Sequence, residues 1–267
     1  MAFDFPNIDP VAFAIGPVEI RWYALAYMAG FVLGWQYCLY LAGFHKEGQR
    51  PFKTDIDDFL PWAVLGVILG GRIGYVFFYQ PELYWADPLE AFKIWHGGMA
   101  FHGGITGVIL ALIAFCKLRS IPLLRFGDML ACVTPIGLFF GRIANFINGE
   151  LFGRTTTAPW AVNFPRGGEV PRHPSQLYEA ALEGLVLFLI LFGLSRLEKV
   201  RDRPGILAGV FLLGYGVFRA FIELFREPDI QIGFIWGSFT MGQLLCLPMV
   251  LGGTGLIVYA LKKNKAS

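Results

Sequence analysis

Charge is scarce in this chain, with Asp, Glu, Lys and Arg together making up only 16% of its 267 residues. Hydrophobic residues make up 55%, the mean hydropathy is +0.55, and the apolar residues come in long blocks. That combination excludes an ordinary soluble domain and describes a polytopic membrane protein. The net charge of +2 leaves no basic footprint for nucleic acid. Cys38, Cys116, Cys132 and Cys246 stand singly inside apolar segments, without Cys-x-x-Cys or Cys/His spacing. Disulfide, zinc and redox readings are therefore weak, and the four read as lipid-facing or core fillers. No basic residue precedes Arg21, so the N-terminus lacks the basic region of a cleavable signal peptide and is expected to remain on the mature protein. HExxH, GxSxG, the Walker A loop and an aspartate cluster for magnesium are all missing. Metal-assisted chemistry and a protein nucleophile are disfavoured, and no cofactor is expected.

What is present is a set of stretches near the 20 apolar residues that a spanning helix needs. Seven are counted, at 20–43, 58–79, 99–117, 127–148, 176–195, 205–226 and 237–261. The expected fold is an all-α integral membrane protein, a single polytopic domain over 1–267. The segment 149–175, rich in Gly, Pro and Thr, should form a small extracytoplasmic cap between the fourth and fifth helices. The 33 glycines suit close helix packing in lipid.

Alternate connections differ in basic charge. One set holds Lys46, Arg50, Lys53, Lys117, Arg119, Arg125, Arg196, Lys199, Arg201, Arg203, Lys262, Lys263 and Lys265; the other holds Lys93, Arg154, Arg166, Arg172 and Arg226. Basic residues favour the cytoplasmic side, so the N-terminus is expected outside and the C-terminus in the cytoplasm. Trp22, Trp85, Trp95, Trp160 and Trp236 then lie near the outer ends, where amphipathic rings favour the interface.

With that orientation, polar residues gather in the outer halves of six helices. They are Tyr23; Arg72; His102; Arg142 and Asn145; Gln176, Glu179 and Glu183; and Tyr215, Arg219, Glu223 and Arg226. A charge at mid-membrane costs about 2.5–3.5 kcal/mol even on the lenient insertion scale, so each needs a reason to be there. Arg219, Glu223 and Arg226, at i, i+4 and i+7, share one face of a continued helix. With Arg142 and Arg72 added, and with Glu179 and Glu183 offsetting part of the charge, arginine is still expected to exceed acid and to suit an anion, because a guanidinium fork holds two phosphate oxygens at once. The plainer alternative is a set of ion pairs that only hold the helices together. His102, in GGMAFHGGITG, is a candidate general base, imidazole being the side chain that titrates near working pH. Its plain alternative is a histidine satisfied by a carbonyl. Gly103, Gly104 and Gly107 fit either packing notches or the close approach of a ligand, and Gly103 is carried forward as a candidate substrate contact.

An arginine-lined cavity would also serve an organic-anion or lipid transporter, but the cytoplasmic halves carry no matching polar residues for a path across. A lipid-binding scaffold without turnover is the third class.

The blocks IRWYALAY, LGGRIGYVFFY, HGGMAFHGGITG, GRIANFINGELFGR, RHPSQLYEA, GYGVFRAFIELFREPD and FTMGQ, in this order and spacing, resemble the prolipoprotein diacylglyceryl transferases over nearly the whole chain. The resemblance implies a bacterial inner-membrane enzyme that begins lipoprotein maturation. It moves the diacylglyceryl group of phosphatidylglycerol to the thiol of the lipobox cysteine in a prolipoprotein signal peptide. It also implies that Arg142 and Arg219 are the phosphate-binding arginines and His102 the essential histidine. Tyr23, Asn145, Glu150, Gly153, Tyr215, Glu223 and Arg226 fall on further functional positions, with Tyr23 counted beside the catalytic group and the others as substrate-binding.

Overall fold

The computed structural model describes residues 2–6, 8–227, 234–235 and 239–263, so Trp236 and Lys265 lie outside the described residues. Two compact units result, one from Met1–Cys38 with Asp128–Ser267 and the other from Leu39–Gly127. The helices are α1 (Trp22–Ala42), α2 (Lys53–Phe78), α3 (Pro81–Ala86), α4 (Phe101–Arg119) and α5 (Leu123–Ile147), followed by α6 (Ser175–Glu179) and α7 (Leu187–Ser195). A π-helical stretch, Ala180–Val186, joins α6 to α7. Then come α8 (Glu198–Arg201), α9 (Ile206–Ile222) and α10 (Met241–Lys263).

Among the described residues six helical rods are long and apolar enough to cross a membrane, Ser175–Ser195 counting as one, and the apolar α9 is shorter. The all-α membrane class is thus as expected, while several boundaries move by up to five residues, two of them for local reasons visible in the hydrogen bonds. α2 starts at Lys53 rather than 58 because the Asp55 carboxylate accepts from the Phe52 N–H at 2.7 Å and is gripped in a fork by Arg50. α9 stops at Ile222 rather than 226: the Phe225 N–H bonds the Ile222 carbonyl at 2.8 Å, and Arg226 leaves the helix to bridge Gly153.

In the unit Leu39–Gly127, α2 and α4 are held backbone to backbone by Gly66, Gly70 and Gly74 against Gly103 and Gly107. A Cβ on Gly107 would sit 2.0 Å from the Gly66 carbonyl oxygen, and one on Gly103 2.3 Å from that of Gly70. Small residues four apart allow this approach, and dispersion then does what the hydrophobic effect cannot do in lipid. Arg72 is buried at 6% exposure. Its guanidinium donates to the carbonyls of Ala91 at 2.9 Å, Gly98 at 3.2 Å and Lys93 at 3.3 Å, and to those of Glu90 and Gly97. This corrects its reading as part of an anion site: Arg72 staples the loop between α3 and α4, whose backbone would otherwise have unpaired carbonyls.

In the other unit α9 packs on α10 through Gly209 and Gly253, whose added Cβ atoms would each meet the opposing carbonyl at under 3 Å. Cys38, Cys116, Cys132 and Cys246 are all buried, at 4% exposure or less, so they are core fillers. The segment 149–175 takes in residues near the N-terminus, a pairing that the sequence did not foretell. Strand β1 (Phe3–Asp4) pairs in parallel with β4 (Val162–Asn163), and the hairpin β2 (Val11–Ile15) and β3 (Val18–Arg21) follows β1 in the chain. Phe164, 1% exposed, centres a small core of this segment against the rings of Phe5 at 5.4 Å, Phe146 at 6.0 Å and Phe152 at 5.2 Å. Between 153 and 173 the backbone knits antiparallel, with Gly153 N–H to the His173 carbonyl at 2.8 Å and His173 N–H to the Arg154 carbonyl at 3.0 Å. The Trp160 indole donates to the Tyr178 hydroxyl at 2.7 Å, and that hydroxyl pairs with His173 Nδ1 at 3.0 Å.

Gly107→Ala lowers the melting temperature of the detergent-purified protein by several degrees, whereas Gly127→Ala, with nothing within 4 Å of its Cβ, does not. Burial pushes the His173 imidazole below its ordinary value. Protonation is therefore resisted in the folded segment around His173 and accepted in the unfolded chain, so local stability present at neutral pH is lost as pH falls below about 6.5. The protection of the Gly153 and Arg154 amides, taken relative to their intrinsic exchange rates at each pH, should fall over that range in the native protein and lose this dependence in His173→Gln.

Candidate active site

The end of α5 explains most of the GRIANFINGELFGR stretch. Gly149 takes a φ of +62°, and the N–H groups of Glu150 and Gly149 return to the carbonyls of Asn145 at 3.1 Å and Phe146 at 2.9 Å. This crossed pair is the Schellman closure of a helix, which favours glycine at that position. It turns Glu150 back along the helix, where its Oε1 accepts from Asn145 Nδ2 at 2.9 Å and Asn148 Nδ2 at 3.3 Å. Arg142, one turn earlier, reaches Asn145 Oδ1 with Nη1 at 3.4 Å. Gln176 Nε2 donates to the Glu150 carbonyl at 2.6 Å and ties the turn to α6.

Three guanidiniums then converge on one carboxylate. Glu179, 0% exposed, receives Arg142 Nε at 2.7 Å and Arg219 Nη1 at 3.0 Å on Oε2, and Arg226 Nη1 at 2.9 Å on Oε1. Arg219 Nη2 also holds Glu223 Oε1 at 2.8 Å, and Arg226 Nε approaches the same oxygen at 3.3 Å. Glu183, likewise 0% exposed, keeps Oε1 3.8 Å from Arg219 and has no hydrogen-bond partner among the described residues. The expected excess of arginine is corrected here: Arg142, Arg219 and Arg226 face Glu179, Glu183 and Glu223, three against three. Buried guanidiniums need such partners, or carbonyls as at Arg72, to offset their desolvation. Arg219, Glu223 and Arg226 still act together, although Arg226 lies beyond the helix end.

The other named residues divide between the two units. Tyr23 hydrogen-bonds Tyr27 at 3.3 Å through the hydroxyls and lies within electrostatic reach of Glu150 and Arg142. Tyr215 lies within similar reach of Arg219 and Glu183. A Cβ on Gly153 would stand 2.3 Å from the Phe225 carbonyl oxygen, so this glycine lets its own backbone press on the turn that carries Arg226. His102 and Gly103 belong to the Leu39–Gly127 unit. His102 is the second residue of α4, with an exposed imidazole 5.7 Å from the Phe101 ring, and Gly103 is filled by the backbone of α2.

Sequence reading missed two participants. Thr240, 3% exposed, donates its hydroxyl to Glu223 Oε2 at 2.8 Å and accepts from the Gln243 N–H at 3.2 Å. Gly242 leaves room for that carboxylate, since its Cβ would lie 2.5 Å from Glu223 Cδ. The signal was available, because Thr240-Met-Gly-Gln243 is a capping box opening α10. Among the described residues no three His, Cys, Asp or Glu side chains are grouped to hold a metal ion.

A family model described as prolipoprotein diacylglyceryl transferase matches residues 10–259. The chain is 58% identical to the phosphatidylglycerol–prolipoprotein diacylglyceryl transferase of Azospirillum brasilense, covering 100% of this chain and 99% of that protein. It is 56% identical to the protein of the same name from Paramagnetospirillum magneticum, over 98% of this chain and 97% of that one. The protein of that name from Methylocella silvestris is 52% identical, with 97% and 96% covered. A buried arginine–glutamate cluster at the helix ends, in a multi-pass chain matched almost end to end, places this protein in the prolipoprotein diacylglyceryl transferase family.

Proposed function

We propose that the Arg142–Arg219–Arg226 cluster holds the phosphate of phosphatidylglycerol while the diacylglyceryl group passes to a prolipoprotein cysteine. The enzyme is a multi-pass protein of the bacterial inner membrane, and its substrates are that lipid and the lipobox thiol. The observation that carries the reading is the convergence of three guanidiniums at one buried point. A transporter gains nothing from the family match.

A thiol attacks as thiolate. The sulfur forms a bond to the glycerol carbon that carries the phosphate, the carbon–oxygen bond breaks, and its electron pair leaves on glycerol phosphate. The thiol proton passes to His102, whose exposed imidazole on the first turn of α4 is not tied to a carbonyl among the described residues. The departing phosphomonoester gains charge, so guanidiniums bind it more strongly than the starting diester, which is what lowers the barrier. Each fork has five donors, and Arg142 gives Glu179 only its Nε–H, leaving others for phosphate oxygens. Asn145 and Glu150 fix the Arg142 side, Glu223 and Arg226 fix the Arg219 side, and Tyr23 and Tyr215 border the cluster. The excess of basic residues in alternate connections supports an outside N-terminus, a cytoplasmic C-terminus and an outer cap over 149–175 within one membrane domain.

Purified protein mixed with phosphatidylglycerol and a lipobox peptide should add a diacylglyceryl mass to the thiol peptide and none to its serine counterpart. No gain in a folded, lipid-binding preparation would leave a scaffold as the better reading. Arg142→Lys keeps the charge but loses the fork, and kcat should fall by about 10²-fold or more with the fold retained; near-normal turnover would remove Arg142 from the phosphate role. The activity–pH profile should rise from the acid side in the native enzyme and lose that limb in His102→Gln. A limb that survives would leave the histidine positioning lipid only.

A further inference from the structure

Glu179 is a poor choice if the arginines existed only to attract phosphate. It is wholly buried and accepts from all three guanidiniums, using one donor of each. Glu223 already joins Arg219 to Arg226, so Glu179 is not needed to link those two. We infer that Glu179 is a positioning residue that acts as a built-in counter-anion: it holds the three guanidiniums together before lipid arrives and limits how tightly they keep the phosphate that is left after transfer.

The argument is one of matched charge. Three forks aimed at an empty point in a low-dielectric site would repel one another and splay toward water. They would also hold a dianionic phosphomonoester so firmly that its departure would limit turnover. A fixed carboxylate removes the repulsion and weakens the attraction for every anion in proportion to that anion's charge. Because the diester carries less charge than the monoester, the weakening falls more heavily on the product. Around this point stand Asn145 beside Arg142, Glu183 at 3.8 Å from Arg219, and Glu223 with the Thr240 hydroxyl at 2.8 Å. None of these accepts from Arg142, Arg219 and Arg226 together, so none substitutes for Glu179.

The inference rests on the phosphate reading above, and the two can fail separately. Glycerol phosphate is titrated as a competitive inhibitor into detergent-purified native enzyme, Glu179→Gln, Glu179→Asp and Arg219→Gln, with steady-state kcat and KM for phosphatidylglycerol measured beside it. Glu179→Gln should bind glycerol phosphate at least about tenfold more tightly, with both KM and kcat lowered, and Glu179→Asp should restore values near the native ones. A carboxylate that merely scaffolds predicts the opposite sign, because loosened arginines bind anions more weakly. Equal or weaker inhibition in a folded Glu179→Gln protein overturns the counter-anion role alone. If native enzyme and Arg219→Gln are equally indifferent to glycerol phosphate, the phosphate reading of the cluster falls and takes this inference with it.

Discussion

A guanidinium inside a bilayer must find a carboxylate or a set of carbonyls, and the unit that carries Arg142, Arg219 and Arg226 meets that demand three times over with carboxylates. Glu179 answers all three, and Glu223 answers two again. Much else follows from keeping those carboxylates in place. The Schellman turn at Gly149 returns Glu150 to Asn145, which steadies Arg142. Gly242 clears space for Glu223, and the Thr240 hydroxyl occupies the oxygen that the arginines leave. Gly184, in the π-helical stretch that follows Glu179, lets Phe139 of α5 press against the backbone, where an added Cβ would come within 2.8 Å of the Phe139 Cα. A widened helical turn beside a functional carboxylate is where such stretches are often found.

The two units solve the problem of packing in lipid with the same material. Apolar side chains gain little by leaving lipid for one another, so close approach of backbones has to supply the cohesion. The α2–α4 contact does this with glycines on both helices, and α9–α10 with Gly209 and Gly253. Arg72 shows the complementary case. Its five carbonyl acceptors make it part of the backbone's own hydrogen-bond accounting rather than of any ligand site.

The sequence marked plainly which polar residues stand out in apolar surroundings and much less plainly what each of them touches. Hydropathy located the spanning stretches because a 20-residue apolar run has few alternatives. It misplaced the start of α2, where Asp55 extends the helix into a polar segment, and the end of α9, where a tight turn replaces the expected last coil. Arg142, Asn145, Arg219 and Glu223 stood out as polar residues in apolar surroundings, and their blocks matched a known family. Counting arginines against acids along the chain nevertheless gave an excess that pairing removes, because Glu179 serves partners 37, 40 and 47 positions away. Such spacing carries no periodic signal. Arg72 was misread for the same reason: nothing in its neighbourhood announces that its acceptors are main-chain carbonyls of a loop about 20 residues on.

The capping box at the head of α10 has a bearing on biosynthesis. Ribosomes deliver the chain from the N-terminus, so Arg142, Glu179 and Arg219 are made before Thr240. Until the last helix emerges, Glu223 lacks the hydroxyl that completes its shell. The cluster therefore reaches its final form only once the head of α10 has been made and inserted, so its assembly depends on the chain beyond Thr240 although every charged member lies before it.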